Sequence, residues 1–229
     1  MRFAGLMAAV LLIATSPPVG AQVAPSAAEV AAYSGLQAAA HRGDVSAIQG
    51  LAAANPAALK TRDAHGRTPV HIATFARQRA ALSALVRAGA DLSALDHDRY
   101  DAVTIAAVAN DEDTLRLLLS LGASAKLITS RYDGTALIAA AHLGHESVVR
   151  QLIAAGAPLD HVNNLHWTAV IEAVVLGDGG PRHEATLRAL LDAGASARIT
   201  DREGRTPLTL ARARGYHEMV KLLERADAR

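Results

Sequence analysis

The residues best suited to chemistry in this sequence are its ten histidines, because the 229-residue chain contains no cysteine. An imidazole can act as a general base or bind a metal ion. His142 and His145 are three residues apart and could share one face of a helix, and His65 and His97 are further candidates. No third histidine lies near the pair in sequence, and the chain has no H-E-x-x-H, G-x-S-x-G or P-loop motif. The sequence therefore predicts no catalytic residues, no metal site and no cofactor.

The composition is that of a nearly neutral protein with few bulky side chains. Lys and Arg number 23 against 22 Asp and Glu, and aromatic residues make up 3% of the chain. Nucleic acid and anionic lipid both require a basic excess on some face of a protein, so neither is favoured as a partner. A chain rich in alanine favours helix formation and lets helices approach one another closely. It has few bulky side chains to fill one large globular core.

The beginning of the chain differs from the rest. Arg2 supplies one positive charge, residues 3–14 are apolar or small, and residues 19–21 are small ahead of Gln22. This order is typical of a secretory signal peptide. The apolar run is too short to cross a bilayer core of roughly 30 Å. We therefore expect a signal peptide at 1–21, no membrane insertion after its cleavage, and a periplasmic location, with secretion as the second choice.

The remainder of the chain repeats itself. The segments Gly66–Ala73 and Gly204–Ala211 read G-R-T-P-V-H-I-A and G-R-T-P-L-T-L-A, and weaker copies begin at Thr135 and Thr168. A second marker, Gly-Ala, first occurs at Gly89 and then recurs at spacings of 33, 34 and 38 residues. A fixed period in this range is the signature of a repeat architecture.

Each unit is predicted to be a short helix pair. Thr68 or Thr206 can cap a helix whose first position is proline, and Gly144 or Gly215 can end it. The second helix carries one apolar stripe, which a single helix pair cannot bury. The units must therefore stack on one another.

These residues and their spacing resemble the ankyrin repeat, whose pattern runs D-x-x-G-x-T-P-L-H-x-A-A, then G-H, then an apolar run that ends in G-A. The resemblance covers nearly all of the chain after the signal peptide. It implies an all-α fold, an ankyrin repeat solenoid of helix-turn-helix units with short β-turn tips. The predicted units are an atypical N-terminal capping helix pair at 22–62, repeats at 63–95, 96–129, 130–162 and 163–200, and a C-terminal capping repeat at 201–229.

Two units depart from the pattern. In the N-terminal cap, we expect the first helix to run from Ser26 to about His41. The fourth repeat carries about five extra residues near 178–182, which we expect to lengthen the turn between its two helices.

Ankyrin proteins hold other proteins in a concave groove formed by the turn tips and the first helices, and the resemblance implies the same for this chain. Four of the six aromatic residues after position 21 fall in the groove columns, and aromatic anchors typically dominate binding energy. Arginine outnumbers acidic residues in those columns, which favours a partner with an acidic patch. The predicted partner-binding residues are His65, Arg67, Phe75, His97, Asp98, Tyr100, Arg131, Tyr132, His142, Leu165, Trp167, Leu176, Arg202, Arg205 and Arg214.

Glu172 is the residue that fits the repeat least. A buried carboxyl group costs free energy unless it is paired, and such groups can mark active sites. We expect His166 or the inserted loop to pair with Glu172, or the enlarged fourth repeat to let water reach it. In the other repeats the same column holds Ile72, Ile105, Ala139 and Leu210.

The predicted function is a non-catalytic protein–protein interaction module, a monomer that holds a protein partner and binds no nucleic acid. Bacterial proteins that it resembles have been linked to periplasmic protection of other enzymes, including catalases, which suggests a scaffold or protective role. One alternative is an immunity protein against a toxin delivered to the periplasm. A second alternative, of another class, is a hydrolase or metal-binding enzyme centred on Glu172 and the groove histidines.

Overall fold

The structure is a computed structural model that describes residues 22–228, so the signal peptide predicted at 1–21 lies outside it. Within this range the regular secondary structure is helical, apart from one isolated β-bridge between Thr129 and Gly134, and turns join the helices. The predicted all-α solenoid of helix-turn-helix units is confirmed. The helices are α1 (Ala27–Ala32), α2 (Gly35–Arg42), α3 (Val45–Ala54), a 3-10 helix (Pro56–Lys60), α4 (Pro69–Phe75), α5 (Arg79–Arg87), α6 (Ala102–Val108), α7 (Glu112–Ser120), α8 (Ala136–His142), α9 (Glu146–Ala154), α10 (Ala169–Val175), α11 (Pro181–Asp192), α12 (Pro207–Arg214) and α13 (His217–Asp227).

Short polar side chains start the first helix of each repeat. The carboxylate of Asp101 accepts a hydrogen bond of 2.9 Å from the amide of Thr104, and the hydroxyl of Thr168 accepts one of 3.2 Å from the amide of Ile171. Each bond satisfies one of the amides that a helix leaves without an internal partner at its N-terminus. At the other end, Gly215 closes α12 with a φ of 70°, a left-handed conformation that favours glycine.

The helices lie in two rows that share one core. The first helices α2, α4, α6, α8, α10 and α12 pack side by side, and the second helices α3, α5, α7, α9, α11 and α13 form the other row. Buried apolar residues from every unit form one continuous cluster. Each helix pair therefore buries its stripe only against its neighbours.

The N-terminal cap differs from the single long helix that we predicted. The chain leaves helical geometry at Tyr33 and Ser34, which adopt extended conformations and separate α1 from α2. The hydroxyl of Tyr33 donates a hydrogen bond of 2.8 Å to a carboxylate oxygen of Asp63, in the first repeat. This contact gives a physical reason for the break, because it ties the cap to the repeat that follows.

The insertion in the fourth repeat lengthens the turn between its two helices as predicted, since residues 176–180 join α10 to α11 where 76–78 join α4 to α5. It also extends a helix, which we did not predict, since α11 has 12 residues where α5, α7 and α9 each have 9. Pro181 stands at the first position of α11, where no amide hydrogen is needed. None of the helices between residues 22 and 228 has the length and apolar content to cross a membrane.

A charge placed in the middle of the stack should unfold the protein locally. Ala140 in α8 is fully buried, and an uncompensated buried charge costs about 3 to 5 kcal/mol. For A140D we expect amides of α6, α8 and α10 to lose hydrogen-exchange protection before those of α2 and α13.

The matched control is A80D, because Ala80 is exposed in the first turn of α5. A80D should exchange like the parent protein. Equal loss of protection along the whole A140D chain would contradict the local model.

Candidate functional site

Five turn tips precede the first helices of the repeats, and each is closed by a hydrogen bond between its first and last residues. Asn163 illustrates the internal geometry, because its side-chain oxygen accepts hydrogen bonds from the amides of Leu165 and Trp167, at 2.9 and 3.0 Å. Asp63, Asp96 and Asp201 accept the equivalent pairs of bonds in their own tips. The tips span 63–67, 96–100, 129–134, 163–167 and 201–205.

Neighbouring tips are joined by backbone and histidine contacts. The Nε2 of His71 lies 3.0 Å from the carbonyl oxygen of Tyr100, so the imidazole bonds to the next turn. Burial lowers the pKa of His71, which favours the neutral ring in this structural role. The tip-to-tip amide bonds, each 2.9 Å long, run from His97 to His65, from Ser130 to Arg99 and from Asn164 to Tyr132.

A cavity of about 670 Å³, which we call the groove cavity, lies where the middle tips meet α6, α8 and α10. Aromatic side chains from three tips line it, namely Tyr100, Tyr132 and Trp167. Leu165 and Leu176 add aliphatic surface from the fourth repeat. The cavity is therefore a mainly apolar hollow in the region where the sequence placed the groove.

Glu172 projects a carboxyl group into this apolar surrounding. Glu172 is only 4% exposed, and it lines the groove cavity. The side-chain amide of Asn163 donates a hydrogen bond of 3.1 Å to Oε1. The Nδ1 of His142 lies 3.4 Å from Oε2, but the contact does not have hydrogen-bond geometry and Oε2 is buried without a hydrogen-bond partner.

The partners of Glu172 are thus not those that we predicted. His166 is exposed at the turn tip, and the described hydrogen bond and close polar contact of the Glu172 carboxyl group are with Asn163 and His142. Asn163 could have been identified from the sequence, because it is an amide in the column that holds Asp63, Asp96 and Asp201. An amide, unlike the aspartate that holds this column in three other tips, can accept from its own tip and also donate to a carboxyl group.

The insertion influences the surroundings of Glu172 indirectly, because it contacts the backbone of His142, whose side chain lies beside Glu172. His183, in the extra turn of α11, places Nε2 at 2.9 Å from the carbonyl oxygen of His142. Its Nδ1 lies 2.8 Å from a carboxylate oxygen of Asp178. The inserted residues therefore fix the end of α8 that presents His142 to the cavity.

Arg67 corrects one prediction of the site. We predicted it as a partner-binding residue, but it is fully buried. Its guanidinium pairs with Asp63 at 2.6 Å and also with Glu29 of the N-terminal cap. Burial would raise the pKa of Asp63, but hydrogen bonds from Arg67 and Tyr33 lower it below its ordinary value. Arg67 is a structural link between the cap and the first repeat.

Two of the other four groove arginines form ion pairs with acidic side chains, so the groove is less positively charged than the number of arginines suggests. Arg131 pairs with Asp98 at 3.1 Å, and Arg205 pairs with Asp201 at 2.8 Å. Arg202 instead bonds to the carbonyl oxygen of Asn164, and Arg214 to that of Val175. The net positive charge of the groove therefore rests mainly on these last two side chains.

The structure brings together about half of the predicted site. Tyr100, although it lines the cavity, is only 7% exposed. Gln22 also lines the cavity, and no sequence signal placed it there, since it comes from the segment that precedes α1. The predicted residues that line the cavity are Tyr100, Tyr132, His142, Leu165, Trp167, Leu176 and Arg202. Those that do not are His65, Arg67, Phe75, His97, Asp98, Arg131, Arg205 and Arg214.

The groove histidines do not converge on a metal site. Between residues 22 and 228, no group of three or more His, Asp or Glu side chains could hold an ion. His65 lies 3.2 Å from Glu29 at the outer cap, whereas His142 faces Glu172 in the cavity. The histidines that the enzyme alternative invoked therefore occupy separate places.

Comparison with known proteins identifies the repeats. Models of the ankyrin repeat family match residues 65–97, 103–199 and 181–224. The ankyrin repeat protein YahD of Escherichia coli (strain K12) is 36% identical over 191 residues, covering 83% of this chain and 94% of that protein. An ankyrin repeat domain from Acinetobacter baumannii AYE superposes with a TM-score of 0.77 and 41% identity, covering 84% of this chain and 97% of that one.

A third similarity extends to the fold alone. A structure of a predatory endopeptidase from Bdellovibrio bacteriovorus in complex with an immunity protein contains a matching chain, with a TM-score of 0.69 and 21% identity. The match covers 84% of this chain and 98% of that one.

The cluster of Glu29, Asp63 and Arg67 should make the stability of the cap depend on pH. Hydrogen bonds from the hydroxyl and amide of Ser26, with help from Arg67, lower the pKa of Glu29 from 4.5 to about 2. A carboxyl group with a depressed pKa stabilises the folded state above its unfolded pKa and loses that contribution as the pH falls. We expect E29Q to be less stable than the parent at neutral pH, with the difference shrinking from pH 4.5 towards 2.

Urea unfolding of both proteins across this pH range measures the difference. A gap in unfolding free energy that stays constant down to pH 2 would contradict the assigned role of Glu29.

Proposed function

The chain belongs to the ankyrin repeat family, and on that premise we propose that it is an exported, non-catalytic module that holds a protein partner in its groove cavity. Members of this family typically serve as protein-binding scaffolds, and fold alone does not assign a partner or a reaction. The proposal therefore depends on the site itself.

The observation that supports partner binding best is the group of aromatic side chains around the cavity. Tyr132 and Trp167 are half-buried there and retain surface that a partner could cover. Residues whose truncation weakens an interface most are enriched in Trp and Tyr and lie in desolvated pockets. Rings of this kind at the centre of the hollow suit a protein contact.

We propose the periplasm as the site of action, with secretion as the second choice. The charged, apolar and small segments of residues 1–21 support export. Within the periplasm, a scaffold or protective role towards another protein accounts for a module that has a binding hollow and lacks a catalytic motif. We further propose that the chain acts as a monomer.

We also propose that the partner carries an acidic patch. The proposal rests on Arg202 and Arg214, whose described partners are backbone carbonyl oxygens. Arg202 stands at the cavity wall, where a partner carboxylate could reach it. Complementary charge of this kind governs association rate and specificity more than affinity.

An immunity protein is the second candidate function. The fold shared with a chain from a complex of an endopeptidase and an immunity protein favours this version. It uses the same cavity and differs only in the partner, which would be a toxin. The enzyme alternative is supported by the buried Glu172 and adjacent His142, but within residues 22–228 no group of three or more His, Asp or Glu side chains could hold a metal ion.

Removing the two half-buried rings should abolish partner capture. Because aromatic anchors often cost 2 kcal/mol or more when truncated, we expect Y132A/W167A to bind its partner at least about tenfold more weakly. Capture from the cell-envelope fraction by the tagged full chain, with quantitative mass spectrometry, identifies the proteins that the parent retains.

The control variant is L51A/I128A, which removes two exposed apolar side chains outside the cavity. It should capture the same proteins as the parent. Capture that is unchanged in a folded Y132A/W167A would contradict the groove model.

Export should leave a shortened chain in the periplasm. Cleavage before Gln22 predicts an intact mass that corresponds to residues 22–229. L11R/L12R, which places charges in the apolar segment, should remain uncleaved inside the cell, whereas L11A/L12A should be exported. A full-length mass for the parent in every fraction would overturn the proposed location.

A further inference from the structure

We propose that the groove cavity binds a lysine or arginine side chain of the protein partner, with Glu172 as the acceptor for its cationic head. This inference deepens the proposed function, on which it rests, by naming the side chain that the cavity receives.

The first observation is the open acceptor on Glu172. Oε2 is buried and has no hydrogen-bond partner, although buried polar groups in proteins are nearly always satisfied. Oε1 is already bonded to Asn163, so the carboxyl group is held in place with one oxygen available. A donor from a partner would remove this deficit, and a cationic donor would form the stronger, charge-assisted bond.

The second observation is the set of aromatic walls. Tyr100, Tyr132 and Trp167 line the same cavity as Glu172. Aromatic faces attract ammonium and guanidinium groups, with Trp the most effective. The aliphatic stem of a lysine or arginine also packs well on apolar surface, and Leu165 and Leu176 supply such surface.

Other side chains fit this cavity less well. At Oε2, away from Arg202 at the cavity wall, a carboxylate would meet another carboxyl group, and an apolar side chain would leave Oε2 buried and unpaired, which costs free energy. The charge of the cavity allows a cation, because Glu172 and Glu203 line it against the single arginine Arg202. His142 adds a positive charge only in its protonated form, and its contact with Oε2 lacks hydrogen-bond geometry.

A second unpaired group in the cavity favours a polypeptide over a small free amine. The Nε2 of Gln22 is buried without an acceptor and lines the same cavity. A peptide segment can satisfy both groups, because a backbone carbonyl accepts from Gln22 while the side chain donates to Glu172. A small free amine brings only the donor.

Trp167 makes the test direct, because it is the only tryptophan in the chain and it lines the cavity. The full chain is titrated with Nα-acetyl-lysine amide and Nα-acetyl-arginine amide while tryptophan fluorescence is recorded. Nα-acetyl-norleucine amide, which lacks the charge, and n-butylammonium, which lacks the peptide groups, serve as comparison probes. We expect a saturable change with the lysine or arginine probe at concentrations at least about tenfold lower than with norleucine.

E172Q should weaken the response to the cationic probe at least about tenfold, whereas E184Q should not, because Glu184 lies on α11 outside the cavity. If E172Q fails to fold, E172D is used instead, because it keeps a carboxyl group but places it one methylene further from the cavity. E172D should weaken binding of the cationic probe and leave the response to Nα-acetyl-norleucine amide unchanged. An equal response to norleucine, or full binding by a folded E172Q, would overturn the inference. Binding of n-butylammonium without binding of either blocked amino acid would overturn the assignment to a protein side chain.

Partner capture separates this inference from the proposed function. If Y132A/W167A loses the captured protein and E172Q retains it, the cation pocket is wrong and the binding module stands. If neither variant loses it, the proposed groove function is wrong as well. Loss of capture by both variants, together with the preference for a cationic probe in the titration, supports the inference.

Discussion

The structure depends on the fact that no helix pair in this chain can bury its apolar stripe alone. Every unit must pack on the next, and the first helices and turn tips consequently form one continuous inner surface. Asn and Asp side chains at the start of four of the five tips hold those turns in the same shape, and imidazole bonds such as that of His71 to Tyr100 fix one turn against another. Stacking therefore forms the groove cavity, and residues from several repeats line it.

Within that surface, the fourth repeat departs from the pattern in ways that support one another. Glu172 replaces an apolar residue, and Asn163, an amide in a column of aspartates, holds one of its oxygens. The insertion supplies His183, which secures the end of α8 beneath His142. All three changes lie within one repeat. Glu172 and Asn163 line the cavity, and His183 bonds to the backbone of His142, which also lines it. A carboxyl oxygen left open in such a supported site is more readily explained by binding than by stability, because an unpaired buried acceptor destabilises a fold.

The fold could be read from the sequence because its period, caps and glycine positions are local patterns. The site could be read only in part, because its chemistry depends on contacts between residues far apart in the chain. Arg67 occupies a groove column, yet Glu29, 38 residues earlier, pairs with it inside the cap. Tyr33 interrupted a predicted helix to reach Asp63. Phe75 matches the aromatic pattern but lies away from the cavity, whereas Gln22 enters the cavity from a segment that no repeat rule covers.

The central claim is that the partner covers the concave surface at the groove cavity. Hydrogen–deuterium exchange of the full chain, with and without the protein that it captures, measures this most directly. The account predicts that added protection is confined to the turn tips between Asp96 and Trp167 and to α6, α8 and α10. Protection confined to the outer row of second helices, with the tips unchanged, would contradict it.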